Sequence, residues 1–149
     1  TKPEMIVRRS LWAAGYRYRL HVKWLPGKPD IVMRKLKTVI FINGCFWHGH
    51  NVKDADTQNC GVIELTDSDF WRNKIRNNRL RDYRNYAIYL SKGWHVLVVW
   101  ECMLSPQKRE NTLKALSLRL NTIFLNTFRA APKPYDTEEH YPTPLAAEE

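Results

Sequence analysis

A chain of 149 residues with 44% apolar side chains is one domain's worth of sequence, long enough to bury about two-thirds of the surface its unfolded form exposes. Its 24 Lys and Arg against 15 Asp and Glu give a formal charge of +9, which favours an anionic partner without saying which one. No run of about 18 apolar residues exists, so a transmembrane helix is excluded, and three Cys at 45, 60 and 102 make a poor disulfide framework.

The odd Cys count and the lack of a charged-then-apolar leader fit a reducing, cytoplasmic setting, with metal binding the sharper use of the thiols. In chain order, residues 1–15 are expected to form a helix. Thr1 and Glu4 have capping-box spacing, Pro3 sits in the first turn and Gly15 ends it. Glu4 shares a stripe with Val7, Leu11 and Ala14, which turns an acid toward the interior. Residues 16–24 alternate throughout: Tyr16, Tyr18, Leu20, Val22 and Trp24 face one way, and Arg17, Arg19, His21 and Lys23 the other. This predicts a half-buried strand with a cationic outer face. After the turn "LPGKP" come short strands "DIVM" and "TVIFI" joined across "RKLK". Residues 51–68 are polar and irregular and read as a surface loop. A long basic helix from Asp69 to about Ser91 ends at Gly93, and the wholly apolar 94–100 reads as a strand covered on both faces. Ser105-Pro106 then opens a last helix with Leu113, Leu116 and Leu120 on its stripe. From Ala130 the chain has four Pro and five acidic residues, so a mobile acidic tail over 130–149 follows a folded domain over 1–129. The order α-β-β-β-α-β-α predicts a mixed sheet with helices on its faces.

Two stretches carry most of the chemistry. In "KPDIVM", Asp30 follows a residue of fixed φ and immediately precedes a strand. Phosphodiester cleavage uses carboxylates that hold Mg²⁺, which neutralises the phosphate and activates water. A Pro-Asp pair followed by a second strand is the skeleton of the PD-(D/E)xK nucleases. Pro-Asp is also common in ordinary turns, and the acid-x-Lys usual on the next strand is replaced here by Phe41-Ile42-Asn43. The second stretch is "NGCFWHGH", residues 43–50. Its aromatics read alone as core, its histidines as bystanders and its Cys as a buried thiol.

Taken together, "PEMIVRR", "LPGKPDIV", "VIFINGCFWHGH", "DFWRNKIRNNRLRD" and "GWHVLVVWEC" closely resemble the very-short-patch-repair (Vsr) DNA mismatch endonucleases, from about Pro3 to Leu104. The resemblance implies a three-layer restriction-endonuclease-like α/β fold and a set of roles. Asp30 matches the aspartate that holds Mg²⁺, and Ile42 the position whose backbone carbonyl is a further ligand. His48 matches the general base, a task suited to an imidazole that is partly deprotonated near neutral pH. Glu4 matches an acid that positions water, and Asp82 one that orients the site from the long helix. Asn43 stands where the family usually has a second histidine; it can donate a hydrogen bond but cannot take a proton, which puts an acid role there in doubt.

Cys45, His50 and Cys102 match three ligands of a structural Zn²⁺ site. The fourth, normally a Cys two residues beyond the histidine, is Val52 here, and Cys60 can replace it from the loop. Phe46 and Trp47, with Trp71, match aromatics that enter the DNA stack beside a mispair. Arg72, Lys74 and Asn78 lie in the run 72–84, which has six Arg or Lys against one Asp and suits phosphate contacts. The implied protein is a monomeric bacterial enzyme that nicks mismatched duplex DNA and works beside mismatch-repair proteins. Two other readings stand next to it: a Vsr-like nuclease with a homing-type or site-specific substrate, and a zinc-stabilised DNA-binding module that has lost catalysis.

Overall fold

A computed structural model describes residues 1–45, 47–50 and 69–129. The expected loop 51–68 and tail 130–149 lie outside the described residues, as do Phe46, Val52 and Cys60. The described elements run α1 (Lys2–Ala13), β1 (Arg19–Leu20), β2 (Ile31–Met33), β3 (Thr38–Asn43), α2 (Asp69–Ser91), β4 (His95–Trp100) and α3 (Arg109–Phe128). The four strands form one sheet in that order. β1–β2 and β2–β3 pair antiparallel, whereas β3 and β4 pair parallel across the crossover through α2.

Strand alternation divides the core into two layers. Ile31, Met33, Ile40 and Val99 enter one cluster with Val7 and Leu11 of α1 and Leu116, Leu120 and Ile123 of α3. Val32, Val39 and Phe41 enter the other with Tyr89 of α2. The fold is therefore three-layer α/β/α, with α1 and α3 on one face and α2 on the other. Each fully buried Leu or Ile in these layers contributes about 2 kcal/mol. β4 is covered on both faces as expected, since Leu97 packs with the first cluster and Val96 and Val98 with the second. Because it stands at the edge of the described sheet, only Val99 of its residues is fully buried.

The predicted strand 16–24 contracts to two paired residues. Tyr16, Tyr18 and Leu20 pack together on the first cluster, but His21 adopts a left-handed φ of 48° and breaks the ladder, so that Val22 is buried in the second cluster instead. Trp24, expected to face inward, is instead 78% exposed on the turn that follows. That turn packs against α2, where the Tyr89 hydroxyl donates to the Pro26 carbonyl at 2.6 Å. The last helix also starts later than expected, at Arg109, because the Ser105 carbonyl is used in a preliminary turn by the amides of Lys108 and Arg109.

Candidate active site and metal centre

Pro29 is fully buried, and it delivers Asp30 to the start of β2. The Asp30 amide donates to Ile40 at 3.2 Å, and its Oδ2 accepts from the Ile42 amide at 2.7 Å. One side chain thus bridges the ends of β2 and β3 and is fixed at the sheet's mouth. Burial raises the Asp30 pKa above the ordinary carboxylate range. The Ile42 hydrogen bond pulls it down, the nearby Glu4 charge pushes it up, and His21 and His48 lower it.

Glu4 comes from the opposite layer. Its amide takes the Thr1 hydroxyl as cap at 3.4 Å, but its side chain does not close a capping box. The carboxylate, 7% exposed as a residue, turns inward as its stripe predicts, and Oε2 lies 2.8 Å from His21 Nε2 and 3.6 Å from Arg8. Ligand atoms of Glu4, His21 and Asp30 all lie within 4.8 Å of one another. Facing them is a dyad in which His48 Nδ1 donates to Asp82 Oδ2 at 2.6 Å. A carboxylate only accepts, so this bond places the proton on Nδ1 and leaves Nε2 free to accept one. Asp82 is reached along the inward line Trp71, Ile75, Asn78 and Asp82 of α2, as the periodicity predicts.

Asn43 is buried, and its Nδ2 donates to the Tyr86 hydroxyl at 3.1 Å. The side chain is therefore tied to α2. Tyr86 was not anticipated, although it lies four residues beyond Asp82 on the same line. Burial pushes its pKa to about 12, with the Asn43 bond lowering it and Asp82, Tyr83 and Asp30 raising it. Its hydroxyl stays protonated and close to the carboxylates. His21 was missed for a different reason: alternation assigns it to the outer face, and the left-handed backbone lays its half-exposed ring against Glu4.

Next to this pocket, the turn over 45–50 serves two purposes. The His50 amide donates to Cys45 at 2.8 Å, and the ligand atoms of Cys45, His50 and Cys102 fall within 4.8 Å of each other. His50 Nδ1 is 3.6 Å from Cys102 Sγ, and its ring stacks on Trp100 at 4.1 Å and 9°. Burial, with Lys108 nearby, depresses the His50 pKa, which favours the neutral ring a metal ion requires. Two thiols and one imidazole suit a tetrahedral Zn²⁺ with one further donor. Cys60, the expected fourth ligand, lies outside the described residues.

Gly49 lets α2 approach this turn. At φ +73° a Cβ there would stand 2.3 Å from Arg79 Cδ and 3.0 Å from Ile75. Asn78 donates to the Trp47 carbonyl at 2.9 Å, so it anchors the turn from α2. Trp47 is half exposed and packs on Trp71 at 5.7 Å. The exposed Phe70, unremarked in the sequence, packs on Trp71 at 5.2 Å and extends the aromatic surface. Arg72 and Lys74 are exposed beside it; Phe46 is outside the described residues. Among the described residues no helix is long and apolar enough to cross a membrane.

An α/β/α sheet with a strand-end aspartate, a second acid from the first helix and a His–Asp dyad anchored on the crossover helix is the arrangement of the restriction-endonuclease-like fold class. A model of the DNA mismatch endonuclease Vsr family matches residues 1–54. The Type II nicking enzyme V.XorIIP of Xanthomonas oryzae pv. oryzae is 45% identical over 123 residues, which are 83% of this chain and 82% of that one. The chain belongs to the Vsr family and is a DNA endonuclease. The Type II nicking enzyme V.NmeAIP of Neisseria meningitidis is 48% identical over 70% of each chain. DNA mismatch endonuclease Vsr of Escherichia coli is 38% identical over 74% of this chain and 66% of that protein.

Proposed function

We propose that this enzyme nicks one strand of duplex DNA beside a T:G mismatch, in a reaction that depends on Mg²⁺ at Asp30. The reading is carried by one juxtaposition: the Glu4–Asp30 carboxylates and the His48–Asp82 dyad converge beside the half-exposed Trp47 and its partner Trp71. Asp30, with the Ile42 carbonyl, would hold the cation, which when bound would supply positive charge to the scissile phosphate and lower the pKa of its water. His48 Nε2 takes the proton of the attacking water, and Asp82 stabilises the resulting imidazolium. Glu4 orients that water. Asn43 acts through Tyr86, whose protonated hydroxyl can donate into the pocket, and it transfers no proton itself.

Phe46, Trp47 and Trp71 enter the stack at the mispair, where the few kcal/mol of lost stacking is smallest because a mismatch already stacks badly. Arg72 and Lys74 contact phosphates and set the register of α2, while Asn78 holds the turn that carries Trp47. The protein works as a monomer on DNA in the bacterial cytoplasm, beside mismatch-repair proteins. The family description and the E. coli relative's name support mismatched DNA as substrate. Two relatives named as Type II nicking enzymes favour a second reading, site-specific nicking that needs no mispair.

A panel of mispaired duplexes incubated with and without Mg²⁺ tests this function. Cation-dependent nicking of one strand is expected. DNA binding with no nicking at any enzyme excess would instead identify a DNA-binding module without catalysis.

Cys45, His50 and Cys102, with Cys60 as the proposed fourth donor, would hold Zn²⁺, which would tie the turn after β3 to the residues after β4. Cys102→Ser should therefore abolish bound zinc, measured by metal analysis of the purified protein. Losing several kcal/mol of metal-linked folding energy should lower Tm by about 10 °C or more. Full thermal stability in the zinc-free variant would show that the thiols are ordinary core residues.

A further inference from the structure

We infer that His21 is a nitrogen ligand of the catalytic cation, so that the pocket is a mixed Glu4–His21–Asp30 site which takes Mn²⁺ more tightly than Mg²⁺. The inference rests on the proposed cation at Asp30 and adds a donor to it. Three observations support it. First, the donor atoms of these three side chains already cluster within 4.8 Å, although they arrive from three different parts of the chain. Second, His21 Nε2 and Glu4 Oε2 are 2.8 Å apart. Neighbouring ligands in an octahedron with bonds of about 2.1 Å stand about 3 Å apart. The pair is thus spaced to share one ion: the Nε2–H that donates to Glu4 in the ion-free pocket would be given up, the ring taking its Nδ1–H tautomer, when Nε2 binds the cation.

Third, His21 is secured on the pocket side at some conformational expense. Its left-handed φ of 48° is unfavourable for a side chain with a Cβ. Its amide donates to the Asp30 carbonyl at 3.1 Å, so the residue carrying the ring is tied to the aspartate that the ion needs. Without that backbone turn, strand alternation would send the ring to the outer face.

Three oxygen donors alone would suit Mg²⁺, a hard ion that accepts oxygen and water. An imidazole changes the preference toward first-row transition ions, of which Mn²⁺ best tolerates the accompanying carboxylates. His48 cannot substitute as donor, because its Nδ1 is used by Asp82 and its Nε2 is required for proton transfer.

The experiment is electron spin-echo envelope modulation on the full chain, with zinc retained in the Cys–His centre and one equivalent of Mn²⁺ added. Modulation from one directly coordinated imidazole ¹⁴N is expected. It should vanish in His21→Asn, a replacement that tolerates the left-handed backbone, and persist in His48→Gln. Titration should show Mn²⁺ binding weakened about tenfold in His21→Asn, with Mg²⁺ binding changed less. Bound Mn²⁺ without nitrogen modulation, or modulation that survives His21→Asn, overturns the ligand assignment but leaves a cation at Asp30 standing. Failure of the parent protein to bind Mn²⁺ at all removes both.

Discussion

Replacing Asp30 with Asn is expected to slow DNA nicking by about a thousandfold or more, because the main charge that holds the cation is lost. The same substitution should leave the metal-free protein at least as stable as the parent. Asn keeps an oxygen to accept from the Ile42 amide, so the bond between the ends of β2 and β3 survives. Burial, reinforced by Glu4, raises the native Asp30 pKa above its unfolded value. Between those two values the native state binds more protons than the unfolded state, so this group's contribution to stability falls as pH rises through that window. Above that window the parent carries the full penalty, and Asn, which does not ionise, escapes it. Adding Mg²⁺ should then raise Tm in the parent and not in Asp30→Asn, since only a state that binds the ion is stabilised by it. Thermal melts with and without Mg²⁺, beside single-turnover nicking, check both halves. A variant that nicks normally would remove Asp30 from the chemistry.

The second large effect is at His48. His48→Ala should reduce the single-turnover rate by about a hundred- to ten-thousandfold, the usual worth of a positioned general base. Asp82→Asn should cost less, about ten- to a hundredfold, because the imidazole remains and only its orientation and charge support are weakened. The ordering carries the information. Nδ1 is committed to Asp82 at 2.6 Å, so Nε2 is the only ring atom that can accept the water's proton. Equal losses in the two variants would mean that the dyad acts as a unit in holding structure.

Much of this site was legible because its signals are short-range. Pro29-Asp30 before an apolar run placed a carboxylate at a strand mouth. The 3.6-residue stripe of α1 turned Glu4 inward, and the same arithmetic on α2 placed Asp82. The segment 43–50 divided into thiol, aromatic and imidazole positions that the resemblance could interpret. Strand alternation and one long crossover helix predicted a mixed sheet with helices on its faces, and the three-layer arrangement came from the resemblance.

What alternation could not show is a break in alternation. One left-handed residue, His21, ends β1 early, sends Trp24 to solvent and turns an outer-face imidazole onto Glu4. Such a backbone choice is set by tertiary partners, the Asp30 carbonyl and the Glu4 carboxylate, neither of which is near in sequence. Tyr86 was hidden likewise, since its hydroxyl matters only once Asn43 of β3 is brought against α2. Phe70 reads as the start of an amphipathic helix until Trp47 and Trp71 are packed beside it.

The central claim is that the pocket cuts a strand where the neighbouring aromatics find a mispair. The most direct test is single-turnover nicking of two duplexes identical in sequence except that one T faces G in the first and A in the second, both with Mg²⁺. The T:G duplex is expected to be cut on one strand beside the mispaired T, and the T:A duplex to stay essentially intact. Equal cutting of both duplexes would contradict it and assign the enzyme to site-specific nicking that reads no mismatch.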